Sequence, residues 1–171
     1  RSIRTACISS TSSRLRNWTV LPGKQLSQLV VLVHGICTGV KYIGPDTPPL
    51  QGRFGQPTGQ GGEHGGPDPT SGYTGDNVYG YNLAGDYPDN LNPPRYLTSS
   101  AFDCSDYQNV KLQFWQWLGI EDGLYDHASI AVSTNGAVWT TVWENSDEVA
   151  DIFWTPMEVD ISSVAAGESN V

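Results

Sequence analysis

The sequence predicts an all-β protein, and three observations carry that prediction. Glycine and proline are frequent, at 19 and 11 of 171 residues, and aromatic residues make up 11%, a composition typical of turn-rich sheets. Only 16% of residues are charged. From residue 76 onward, short alternating runs are separated by turn signals, and almost no segment repeats its apolar residues at the helical period. A chain of this length is enough for one domain with a real core and too short for two comfortable ones.

Charge divides the chain near residue 53. Residues 1–53 hold seven bases against Asp46 alone, +6, while residues 54–171 hold two bases against seventeen acids, −15. The first part is therefore expected to be an atypical basic segment and residues 54–171 the β domain. Within the first part LSQLVVLVHGI, residues 26–36, looks like the strand and His-Gly turn of an α/β-hydrolase. That chemistry also needs a G-x-S-x-G nucleophile elbow, which the chain lacks; residues 29–33 are read as a buried or edge strand. Asn17-Trp18-Thr19 is a glycosylation sequon by spelling alone.

Residues 55–75, GQPTGQGGEHGGPDPTSGYTG, are expected to be loop, with Glu63 and His64 a solvated pair. Strands are expected near 76–83, 95–102, 109–118, 127–134, 137–144 and 152–161. Turns are expected at Pro88-Asp89-Asn90, Asn92-Pro93-Pro94, Asp103 to Tyr107, Glu121-Asp122-Gly123 and Asn135-Gly136. Both residues of Asn135-Gly136 accept positive φ, so a two-residue hairpin turn is expected there. In NVKLQFWQWL, alternation puts Val110, Leu112, Phe114, Gln116 and Leu118 on the core face and Lys111, Gln113, Trp115 and Trp117 on the other. Trp139 and Trp143 likewise fall among polar neighbours. Trp115, Trp117, Trp139 and Trp143 are thus candidates for a flat ligand-binding platform on which sugars stack, unless the glycine-rich loops fold over them.

The acid-rich stretch TGDNVYGYNLAGDYPDN, residues 74–90, contains no base. Asp76, with Glu121, Asp122 and Asp126 from IEDGLYDH, would supply carboxylates for a structural calcium ion if the two loops meet. Glu121 and Asp122 as adjacent turn residues do not define a glycosidase pair, and His34, His64 and His127 have no zinc spacing. No enzyme is expected. A net charge of −9 disfavours nucleic acid and anionic lipid, and no stretch is long and apolar enough for a membrane span. Cys7, Cys37 and Cys104 spell no local metal pair.

The run FGQPTGQGG, then GPDPTSGYTGDNVYGYNLAGDYPDN, then YLTSSAFDCSDYQNVKLQFWQWLGIEDGLYDHASIAVSTNG resembles the MAM-like jelly-roll domains attached to secreted bacterial peptidases of the immune-inhibitor-A kind and to other bacterial surface proteins. The resemblance covers residues 54–163. It implies an antiparallel β-sandwich outside the cytoplasm, secreted or at the cell surface, serving as an accessory module without catalytic residues. Residues 1–52 do not resemble the family's usual lead-in. The strand pattern stops after Val159 to Ile161, and SSVAAGESN reads as a loop leading to a strand at Val171. A sandwich incomplete at its C-terminus is expected, its open edge filled by residues 29–33 or, preferentially, by a neighbouring chain. Two functions follow: a binding module recognising glycan or protein, or a structural subunit of a surface assembly joined through open sheet edges.

Overall fold

The computed structural model describes residues 6–9, 29–32, 41–43, 53–62, 67–80, 82–86 and 96–171, with the backbone alone for the first three segments and Arg53. The chain is β-rich. The described residues form a seven-stranded sheet and two two-stranded sheets, and among them β2 on β7 is the one parallel pairing. The strands in chain order are β1 (Ala6–Ser9), β2 (Leu29–Leu32), β3 (Lys41–Ile43), β4 (Arg53–Gly55), β5 (Val78–Gly80), β6 (Tyr96–Thr98), β7 (Val110–Ile120), β8 (Ser129–Val132), β9 (Thr140–Glu144), β10 (Val149–Ala150) and β11 (Thr155–Asp160), followed by the helical turn α1 (Ser162–Ala165). The predicted turns at 88–90 and 92–94, together with His34, Cys37, Glu63, His64 and the Asn17 sequon, lie outside the described residues.

β7 organises the large sheet. Its apolar alternation is strict enough to bury one face: Val110, Phe114, Gln116, Leu118 and Ile120 are buried, and the residues between them are half-buried. Each of its edges is covered by two shorter strands in series. On one edge, β2 pairs with Val110 to Gln113 and β1 with Trp115 to Leu118. On the other, β11 pairs with Lys111 to Gln116 and β10 with Gly119 and Ile120. β1 continues to β5, and β5 to β4. These pairings cross residue 53: where the sequence suggested one strand in the first part, the described residues hold three, with β4 beginning at Arg53, and Leu29–Leu32, one of the two candidates to fill an open edge, pairs with β7.

The buried face of β7 lies over the main core of Cys104, Val110, Val132, Val159, Ile161 and Ala165. Met157 and Val159 stand opposite Phe114 and Leu112, so cross-strand neighbours share this face. Pro156 lacks an N–H, and β11 tolerates it as an edge strand. The Ser162 hydroxyl closes the start of β7, accepting from the Val110 N–H at 2.9 Å and donating to the Val110 carbonyl at 3.3 Å.

Three elements differ from the sequence reading. Predicted strand 76–83 reduces to β5, because Asn82 takes a left-handed backbone with φ 47°, which a strand cannot continue. The hairpin is joined by residues 133–139 rather than by two residues: Val132 already pairs with Thr140. Ser133 and Asn135 side chains capture the N–H groups of residues 135 to 138, replacing ladder bonds with side-chain ones. A bulge opposite Ile130/Ala131 skips Val142, so Val142 and Trp143, adjacent in sequence, both pack on the main core. Finally, SSVAAGESN is not all loop. Residues 162–165 are helical, and Val171 exchanges backbone bonds with Phe102 at 2.8 and 3.0 Å.

Between β10 and β11 the ladder on β7 is interrupted, and Asp151 fills the gap. Its N–H donates to the Leu118 carbonyl at 2.9 Å, its Oδ2 accepts from the Leu118 N–H at 2.9 Å, and its Oδ1 accepts from Thr155 Oγ1 at 3.1 Å. The carboxylate stands where a strand carbonyl would be. Asp151→Ala leaves the Leu118 N–H without its acceptor and is expected to cost about 1–3 kcal/mol, measured as a lower urea midpoint. Asp151→Asn, which keeps an acceptor oxygen, recovers most of that loss.

Candidate functional site

The glycine-rich stretch folds into a tight double-back. Gly59 N–H donates to the Pro69 carbonyl and Asp68 N–H to the Gln60 carbonyl, both at 3.1 Å, while Thr58 N–H donates to the Leu83 carbonyl at 2.8 Å. Pro57 is fully buried beneath it. Gly61 is required by sterics: its φ is 84°, and a Cβ there would lie 2.8 Å from Asp86 Oδ1. Residues with side chains would hold the two halves of the loop apart.

This close approach brings Asp68 and Asp86 together. Asp86 Oδ1 accepts the Gly62 N–H at 3.1 Å, and the Asn82 side-chain amide donates to the Asp86 carbonyl. Asp68 Oδ2 is buried and accepts no hydrogen bond among the described residues. Burial first, and the charge of Asp86 second, push the Asp68 carboxyl up to about 7. A carboxylate so placed takes up either a proton or a cation. Sequence reasoning put Asp86 in a turn and passed over Asp68; the available signal was Pro67-Asp68-Pro69, an acid between two residues of fixed φ inside a glycine run.

The acids singled out from sequence are arranged differently. Asp76 is exposed ahead of β5, Glu121 and Asp122 are half-buried, and Asp126 is buried. Among the described residues no three His, Cys, Asp or Glu side chains come together as a metal-holding group. The IEDGLYDH loop is fastened instead by Asn145, which is itself buried. Its Oδ1 accepts from the Ala128 N–H at 2.7 Å, and its Nδ2 donates to the Glu121 and Asp126 carbonyls at 3.2 and 3.0 Å. Gly123 makes room for this packing, since a Cβ on it would lie 2.6 Å from the Asn145 carbonyl. His127 faces Glu144 at 3.4 Å on the surface.

The four candidate tryptophans do not share one surface. Trp115 is covered by Tyr73 of the glycine-rich region, the rings stacked at 3.7 Å and 11°, and Tyr73 keeps 43% of its surface exposed. Trp117 joins a second core of Val78 and Leu83, with Trp154 edge-on at 5.8 Å. Trp143 packs on the main core, on the other side of β7. Trp139 stands in the hairpin loop, 49% exposed. The loop that folds over the tryptophan face is thus the same loop that pairs Asp68 with Asp86.

Comparison with protein-family models, with curated proteins and with solved structures found no match. No helix among the described residues is long and apolar enough to cross a membrane.

The two tryptophan environments give different expected outcomes. Trp117→Ala removes a core ring and costs about 3–5 kcal/mol, whereas Trp139→Ala changes stability by less than about 0.5 kcal/mol; chemical denaturation of both variants measures the contrast. Asp68 adds a pH dependence. Between 3.8, its ordinary value, and about 7 the native carboxyl holds a proton that the unfolded chain releases. The contribution of Asp68 to stability in chelator is therefore fullest near and below pH 4 and is lost as the pH rises through 7. Thermal melts across that range should show the slope, and Asp68→Asn should flatten it.

Proposed function

We propose that this chain is a non-catalytic accessory module of the jelly-roll β-sandwich kind, acting outside the cytoplasm. In this reading a bound calcium ion orders its glycine-rich loop, and the surface that loop forms recognises glycan. The observation that carries the reading is the Asp68–Asp86 pair, with a buried carboxylate oxygen that no donor reaches among the described residues, in a cradle that a Cβ at Gly61 would fill. GPDPTSGYTG and AGDYPDN of this loop are part of the run over residues 54–163 that resembles MAM-like domains.

Calcium favours carboxylates combined with loop carbonyls and water. Asp68 and Asp86 would hold the ion in place of the Asp76, Glu121, Asp122 and Asp126 set. When bound it supplies fixed positive charge between two acids and no reaction. The protein's own residues do the rest. Glycine backbone at 59, 61 and 62 lets the strands of the loop approach, Asp86 is oriented by the Gly62 N–H, and the following segment lays Tyr73 on Trp115. A stacked ring with an exposed face is the usual platform for a sugar ring. The alternative, a structural subunit joined through sheet edges, draws on β4, β10 and β11, which each pair on one side among the described residues.

Calcium at about a hundred times its dissociation constant should stabilise the fold by about 2.7 kcal/mol, seen as a higher melting temperature that chelator reverses and that Asp68→Asn and Asp86→Asn both abolish. An unchanged melting curve removes the ion from the reading. Tyr73→Ala should abolish retention on a polysaccharide column with little change in melting. Light scattering that shows growth into polymers with concentration, and no retention on any polysaccharide, overturns the binding module in favour of the assembly subunit.

A further inference from the structure

The loop between β8 and β9 contains Asn135-Gly136, the one Asn-Gly pair among the nine asparagines of the sequence. We propose that it is a self-modifying site, at which the Gly136 backbone nitrogen closes on the Asn135 side-chain amide to form a succinimide that water then opens to aspartyl or isoaspartyl. The proposal is independent of the calcium and glycan reading.

Three observations place the reacting groups. Asn135 and Gly136 are exposed, and nothing lies within 4 Å of where a Gly136 Cβ would be, so the Asn-Gly junction is open to water. The carbonyl under attack is surrounded by donors: Asn135 Oδ1 accepts from the Ala137 N–H at 2.9 Å, the Val138 N–H at 2.8 Å and the Ser133 hydroxyl at 3.2 Å. Negative charge develops on that oxygen when the nitrogen adds, and fixed donors aimed at it lower the barrier. The same Ser133 oxygen accepts the Gly136 N–H at 2.9 Å. Ser133 is buried, so its hydroxyl is held in place, bridging nucleophile and electrophile with one hydrogen donated and two N–H groups accepted.

The chemistry balances without a cofactor. The Gly136 nitrogen loses its proton as it bonds to Asn135 Cγ, the Cγ–Nδ2 bond breaks, and that nitrogen departs with the proton as ammonia. Addition of water to either carbonyl of the ring gives a carboxylate. Opening at the backbone carbonyl leaves an isoaspartyl linkage, which inserts a methylene into the main chain just ahead of the exposed Val138 and Trp139. The loop's surface then changes with the age of the molecule.

The test is to incubate the purified chain at neutral pH and map isoaspartyl by peptide mass spectrometry. The folded protein should accumulate it at residue 135 faster than the same chain in urea. Ser133→Ala should slow the folded protein by about tenfold, and Ser133→Thr, which restores the hydroxyl, should recover the rate. Circular dichroism establishes that each variant is folded. If the folded chain reacts no faster than the unfolded one, or if Ser133→Ala reacts as fast or faster, the hydrogen bonds guard the pair instead and the proposal is overturned.

Discussion

The backbone ladder along β7 is the constraint on which the rest of the structure depends. Eleven consecutive residues in one strand present donors and acceptors on both edges, and in a buried strand each must find a partner. Among the described residues no other strand is long enough to run beside all of β7, and each edge is shared by two shorter strands in series. That arrangement determines which distant parts of the chain meet. It draws residues 6–9 and 29–32 to one edge of β7 and residues 149–150 and 155–160 to the other.

Serial strands leave breaks, and polar side chains fill them. Asp151 substitutes for backbone at Leu118, Ser162 at Val110, and Asn145 ties the 121–128 loop to the end of β9. Each such contact uses a short side chain whose acceptor or donor sits at backbone distance, the property that makes Asp, Asn and Ser poor inside regular elements and useful at their ends. Asp68 differs from all of these. A tight loop half-buries it, its Oδ2 has no donor among the described residues, and the charge of Asp86 acts on its carboxyl. A polar group in that situation has a cost of its own, and the raised affinity of the carboxyl for a proton is how that cost is expressed.

The glycine-rich loop links this electrostatic feature to the aromatic one. Gly59, Gly61 and Gly62 adopt positive φ, which lets the loop lie flat against residues 67–70 and 83. From there the chain continues into Tyr73, whose ring covers Trp115. The hairpin at 133–139 shows the opposite use of a loop. It is fastened internally by Ser133 and Asn135 and holds Val138 and Trp139 out to solvent.

What the sequence determined by itself was local. Alternation in NVKLQFWQWL identified β7 and its buried face correctly, because period two in a long strand depends only on neighbouring residues. Turn residues at 103–107, 121–123 and 135–136 marked the chain's reversals for the same reason. The tertiary structure decided everything that required two distant segments to meet. Trp117 and Trp143 look alike in an alternating pattern, but Val78 and Leu83 cover one while a bulge at Val142 turns the other onto the opposite core. The acids at 121, 122 and 126 read as ligands, and Asn145, some twenty residues away, holds their loop. Asp68 and Asp86 lie eighteen positions apart and carry no spacing motif. Their pairing arises from glycines whose absent side chains permit contact, and an absent side chain leaves no pattern for periodicity to detect.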